Sequence, residues 1–140
     1  MVFEELRYIY KGTSDYEANK QFYIEILGAS LVWEFRRFGT SVVAFRLGDC
    51  KHLILIAEHL KGHQSILIYR TSDIEQAITQ LKSNGLSFRS STFGIPDGNC
   101  ILFEDNSRTK YGIYEKTKDD AYLVDEYNRQ QREQSTQHRL

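Results

Sequence analysis

The chain is poor in the residues that staple or punctuate a fold: two cysteines, one proline and one tryptophan in 140 residues. Cys50 and Cys100 make no C-x-x-C pair, so they supply neither a disulfide framework nor a redox motif, and they read as free thiols used in packing. An excess of one charge is missing too. Eighteen Lys and Arg stand against 19 Asp and Glu, a formal net charge of −1, and no basic block occurs. Phosphate binding needs clustered cations, so nucleic acid is excluded as the main partner. No apolar run is long enough to cross a membrane. The opening "MVFEELRYIYKG" is acidic and lacks the apolar stretch of a signal peptide. A cytoplasmic protein is the expectation. At 41% hydrophobic and 26% charged residues, the chain can build the core of one compact domain.

What the sequence does contain is a repeat. "TSDYEANKQFYIEILGASL" begins at Thr13 and "TSDIEQAITQLKSNGLSF" at Thr71; their Asp residues are 73 − 15 = 58 positions apart. A strand-like run precedes each, "LRYIY" at 6–10 and "SILIY" at 65–69. Both repeats read as helices, with Ser14 and Glu17, then Ser72 and Glu75, placed as capping boxes. Ala18, Phe22, Tyr23, Ile26 and Leu27 form one apolar stripe; Ile74, Ala77, Ile78 and Leu81 form the other. Gly28 and Gly85 sit where a helix ends in a left-handed turn. Three strand-like stretches follow each helix: "SLVWEFRR", "SVVAFRL" and "HLILIAE", then "LSFRSSTF", "NCILFE" and "YGIYE". Breaks such as "GDCK", "PDGN" and "DNSRTK" separate them.

The fold class expected is therefore α+β: two tandem βαβββ modules, 6–60 and 64–115, in a single domain over 1–115. Neither module can close a core alone. Together they form a mixed, half-barrel sheet with helices on the outer face and a concave cleft on the other. Residues 116–140 form an extension, expected to be partly helical around 119–133 and to dock through Tyr122, Leu123 and Tyr127.

The Asp-led helix, the "FY" pair at Phe22–Tyr23, "LG" at Leu27–Gly28 and the closing "YGIYE" resemble the vicinal oxygen chelate superfamily, which includes glyoxalases, bleomycin-resistance proteins and extradiol dioxygenases. The resemblance spans roughly 6–115 and implies the same fold. It also implies a divalent metal in the cleft, held by His, Glu or Gln from four strands. The matching positions here are Tyr8, Leu55, Ile66 and Gly112, with Leu102 in place of Gly112 if "PDGN" is taken as the family's last turn. Tyr, Leu, Ile and Gly do not make such a site. No metal and no cofactor are expected, and no catalytic residue is assigned.

The remaining candidates line the cleft. Tyr8, Tyr10, Trp33, Phe35, Phe45 and Tyr114 occupy alternating strand positions. Together with His52 at the mouth and Leu55, Ile66 and Gly112 at the floor they form the candidate ligand-binding set; a packed core is the competing reading. Arg36, Arg37 and Arg46 are candidate cations for an anionic ligand, against a solvated strand face. His59 and His63 read as a solvated linker, and Glu58 and Glu115 as surface carboxylates. The expectation is a homodimer binding a small, partly aromatic molecule in the manner of bleomycin-resistance-type proteins. The alternatives are a lyase, isomerase or dioxygenase of the same superfamily, and a mainly structural or partner-binding role.

Overall fold

Strand β1 (Glu5–Gly12) and its counterpart β5 (Ser65–Arg70) carry β-branched and aromatic residues suited to strands, and they pair to form the seam of the molecule. The computed structural model describes residues 2–37, 40–60, 64–95, 97–118, 129, 131 and 132. After β1 come helix α1 (Tyr16–Gln21) and strands β2 (Ser30–Arg37), β3 (Thr40–Arg46) and β4 (Leu53–Ala57). After β5 come helix α2 (Ile74–Ser83) and strands β6 (Phe93–Ile95), β7 (Gly98–Glu104) and β8 (Lys110–Lys116). All eight strands share one sheet in the order β2-β3-β4-β1-β5-β8-β7-β6. Within each module the first and last strands run parallel; across the seam β1 and β5 run antiparallel. The result is the half-barrel of two βαβββ modules. Among the described residues no helix is long and apolar enough to cross a membrane.

The helices pack on one face. Tyr16 and Tyr23 cover Val43, Phe45 and Ile56 in the first module; Ile74, Ala77 and Ile78 cover Ile101 and Ile113 in the second. A third cluster, without a helical residue, lies on the opposite, concave face. Glu34, on the helix side of β2, is buried yet compensated: it accepts from the Tyr16 hydroxyl at 2.6 Å, Lys20 Nζ at 3.0 Å and Arg36 at 3.3 Å.

Several sequence expectations shift. The caps are Asp15 and Asp73, whose carboxylates accept from the Ala18 and Gln76 amides, each at 3.1 Å. Ser72 instead donates to Glu4. The first helix does not run on as an α-helix. It passes into a π-helical turn, Phe22–Ile26, closed by Leu27 N–H donating to the Phe22 carbonyl. The expected stripe fails already before this turn: Tyr16 and Tyr23 face inward, while Ala18 is exposed and Phe22, Ile26 and Leu27 are exposed at 47%, 69% and 44%. Only 93–95 of the second module's first return stretch pairs as a strand; 86–92 do not. Gly28 and Gly85 take the expected left-handed conformation, φ 65° and 103°. Tyr122, Leu123 and Tyr127 lie outside the described residues, although Arg129, Gln131 and Arg132 are helical.

Two substitutions test this packing. Phe45 is fully buried and stacked on Tyr23 with centroids 5.4 Å apart, so Phe45→Ala should cost about 3–5 kcal/mol in chemical denaturation. A Cβ at Gly98 would lie 2.0 Å from the Glu115 carbonyl oxygen on the neighbouring strand. Gly98→Ala should therefore separate β7 from β8 and lower the melting temperature more than any alanine substitution at an exposed strand position.

Candidate functional site

The concave face is built from strand alternation. Tyr8 and Tyr10 on β1 project to the side away from the helices, and their neighbours follow in register. Leu53, Tyr8, Ile68 and Gly112 form one row across β4, β1, β5 and β8; Leu55, Tyr10 and Ile66 form the next. Trp33 and Phe35 join from β2, in edge contact at 5.2 Å, and Cys100 and Tyr114 from the second module. Tyr10, Val42, Leu60, Ile95 and Leu102 lie half-buried around this cluster. The four positions matched to metal ligands thus fall on the four central strands.

The residues at those positions do not fit a metal. Leu55 and Ile66 have no donor atom. Gly112 has none either, and a Cβ there would stand 3.0 Å from Leu102 and 3.2 Å from Ile68, so the floor is closed by packing. Tyr8 has a hydroxyl, but it is already committed. Tyr8 donates to Asp97 Oδ2 at 3.1 Å, and Tyr114 donates to the same oxygen. Asp97 is 2% exposed, and the two rings sit 5.6 Å apart. Burial, reinforced by the Asp97 charge, pushes the Tyr8 phenol well above its ordinary pKa. Burial does the same to Tyr114, with the neighbouring Tyr8 and Asp97 adding to it. Both therefore stay protonated and remain donors. Arg7 lies over the Tyr8 ring at 5.3 Å and opposes part of the rise. Among the described residues no group of three or more His, Cys, Asp or Glu could hold a metal ion.

A second polar group stands at the rim. The Tyr10 hydroxyl and His59 Nε2 are 3.1 Å apart, and His59 Nδ1 is 3.4 Å from the Thr40 hydroxyl. Burial raises the Tyr10 phenol, so it too keeps its proton. The face is thus closely packed, with Tyr8, Trp33, Leu55, Ile66 and Tyr114 each at most 5% exposed, and it offers neutral hydroxyls and one imidazole at its rim.

The structure brings together Tyr8, Tyr10, Trp33, Phe35, Leu55, Ile66, Gly112 and Tyr114 of the candidate set. Phe45 is a correction: it lies under α1 on the other face, because residue 45 shares the parity of Val43 and not of Ala44. His52 is half-buried in the bend before β4, outside the apolar cluster. Arg36 is engaged by Glu17 and Glu34 on the helix side, and Arg46 donates to the Cys50 carbonyl. Glu115 is not a plain surface group; it accepts from the Ile74 amide and helps cap α2. The side chain of Arg37, and His63, lie outside the described residues. Sequence reasoning missed Asp97 and His59. Alternation gives no sign of Asp97, whose parity places it on the helix side; the turn before β7 redirects it. The signal for His59 was a tyrosine two positions along β1 from Tyr8 that needed a polar partner.

The family model described as Glyoxalase/Bleomycin resistance protein/Dioxygenase superfamily matches residues 6–110. Among solved structures, the chain is similar to a methylmalonyl-CoA epimerase from Mycobacterium tuberculosis, with 17% identity, a TM-score of 0.71, and 82% of this chain and 89% of that one covered. It is similar to a hypothetical protein from Bacillus halodurans C-125 at 16% identity and a TM-score of 0.71, covering 82% and 96%. A Streptomyces coelicolor methylmalonyl-CoA epimerase variant in complex with 2-nitronate-propionyl-CoA follows at 11% and 0.68, covering 81% and 98%. At these identities the likeness is one of fold. No curated protein matches the chain.

Two titrations test the buried groups. Burial pushes the Cys100 thiol up to about 12, while Cys50 is exposed. At about pH 8 a thiol reagent should label Cys50 alone until the protein is unfolded; rapid labelling of both would contradict the packing. Tyr8 and Tyr114 have folded pKa values above their unfolded value of about 10, so the unfolded state releases protons first. Stability should fall as pH rises above that point, by up to about 1.4 kcal/mol per pH unit for each tyrosine. Tyr114→Phe should make the fall shallower.

Proposed function

This chain belongs to the Glyoxalase/Bleomycin resistance protein/Dioxygenase superfamily, and we propose that it is a cytoplasmic member that binds a small, partly aromatic molecule on its concave face, without a metal at the superfamily's position. The observation that carries this reading is the Tyr8–Asp97–Tyr114 arrangement, which commits Tyr8, the one side-chain donor among the matched metal positions, to a hydrogen bond within the chain. A divalent ion there would have to displace a buried carboxylate from its two donors and keep apolar walls as neighbours. An aromatic body meets a better match in Tyr10, Val42, Leu60 and Leu102, which remain half-buried beside Trp33 and Phe35. A homodimer is part of the proposal: exposed Phe22, Ile26 and Leu27 give an apolar surface for a second copy.

An isomerase is the second reading, favoured by the Tyr10–His59 pair. An imidazole and a protonated phenol at hydrogen-bond distance can move a proton to or from a bound molecule. The methylmalonyl-CoA epimerases of similar fold lend it an analogy and no more.

Trp33, the single tryptophan, reports on the face. Native mass spectrometry of freshly purified protein should detect a co-purifying organic molecule, and adding it back to stripped protein should change Trp33 fluorescence. Tyr10→Ala should weaken that binding by about tenfold, in keeping with loss of a buried aromatic contact and a hydrogen bond. Tight stoichiometric binding of zinc, nickel, manganese or ferrous ion, abolished by Tyr8→Phe, would overturn the reading. Turnover lost on His59→Gln, with binding retained, would favour the isomerase.

A further inference from the structure

Three cations collect at one place. A groove of about 520 Å³ lies at the closed end of the β7–β8 hairpin, beneath the 86–90 loop. It is lined by Arg89, Arg108 and Lys110, and none of the three makes an ion pair with another described residue. On the first module Lys20 and Arg36 pair with Glu34, and on the seam Arg70 lies beside Glu5. Two carboxylates share the groove. Asp105 is occupied by its own turn, accepting from the Ser107 and Thr109 amides at 2.8 and 2.9 Å. Glu104 leaves the groove one net positive charge.

The groove is joined to the concave face by a single residue. Leu102 lines the groove and packs against the Tyr8–Trp33 cluster. A molecule lying on that cluster past Leu102 would bring its far end among the three cations. Exposed cations give little binding alone, because water and salt screen them. Beside an apolar surface that holds the rest of the ligand, two arginines can grip anionic oxygens with paired N–H donors.

We infer that the groove of Arg89, Arg108 and Lys110 is an anion subsite, and that the molecule bound on the concave face carries a carboxylate or phosphate on its apolar or aromatic body. This rests on the binding reading above and narrows its ligand class. It also moves the anion-binding cations from β2 and β3, where the sequence pointed, to the second module.

The test uses three probes with one ring system: 1-naphthol, 1-naphthoate and 1-naphthyl phosphate. Each is titrated into the full-length protein and followed by amide and indole NMR. The two anions should bind at least about tenfold more tightly than 1-naphthol, and should shift the amides of 87–90 and 104–110 together with the Trp33 indole. The Arg89→Gln/Arg108→Gln/Lys110→Gln variant, checked for an unchanged far-ultraviolet spectrum, should lose that preference while binding 1-naphthol as before. Comparing the two anions distinguishes phosphate from carboxylate as the group taken. If 1-naphthol binds as tightly as the anions, or the triple variant keeps their advantage, the subsite is wrong while a shifted Trp33 indole still supports the binding face. If the groove amides move and the indole does not, the anion site stands apart from the face and the linkage through Leu102 is wrong. If neither moves with any probe, both readings fail.

Discussion

A carboxylate that is 2% exposed must be compensated, and Asp97 is compensated by two tyrosine hydroxyls from strands on either side of the seam. Tyr8 comes from the first strand of module one and Tyr114 from the last strand of module two. The arrangement therefore ties the halves together on the concave face, where no helix helps. It also fixes the character of the face. With Asp97 committed to phenols, the rest of the floor is free to be apolar, and Leu55, Ile66, Ile68 and the closely packed Gly112 make it so. Removing either hydroxyl leaves a buried charge short of a donor, which is costlier than the hydrogen bond itself.

The fold was legible because both modules state it separately. The doubled strand–helix pattern, the glycines after each helix and the turn-forming breaks agree with one another, and the sheet order follows once β1 and β5 are paired. The site was legible only where strand alternation governs it. Tyr8, Tyr10, Leu55, Ile66 and Tyr114 share a face because residues two apart on a strand point the same way. Phe45 escaped because the irregularity between Leu31 and Trp33 shifts how β2 and β3 align, so aromatics on the two strands do not share a face by simple counting. Asp97 and His59 escaped for a different reason. Both sit in turns, whose side-chain directions no period predicts.

The first helix shows the same limit from the other side. Its stripe is regular on paper, but Tyr16, outside the stripe, faces in, and Ala18, within it, is exposed before the wide turn at Phe22–Ile26 begins. Tyr23 gains a stacked contact on Phe45 and a hydrogen bond from Lys11, while Phe22 and Ile26 are released to the surface. The inward face runs through Tyr16 and Tyr23, and the other core candidates form an exposed apolar surface. The second helix keeps its α-helical turn throughout, and of its stripe Ile74, Ala77 and Ile78 are buried and Leu81 is half-buried.

On the proposed reading, the superfamily's metal position is filled by the chain's own side chains, Tyr8 among them held by Asp97. Anomalous diffraction from crystals soaked in manganese tests it most directly. The expected map shows no anomalous peak among Tyr8, Leu55, Ile66 and Gly112, with both tyrosine hydroxyls on Asp97. A peak there, with Tyr8 or Asp97 turned to meet it, would contradict it.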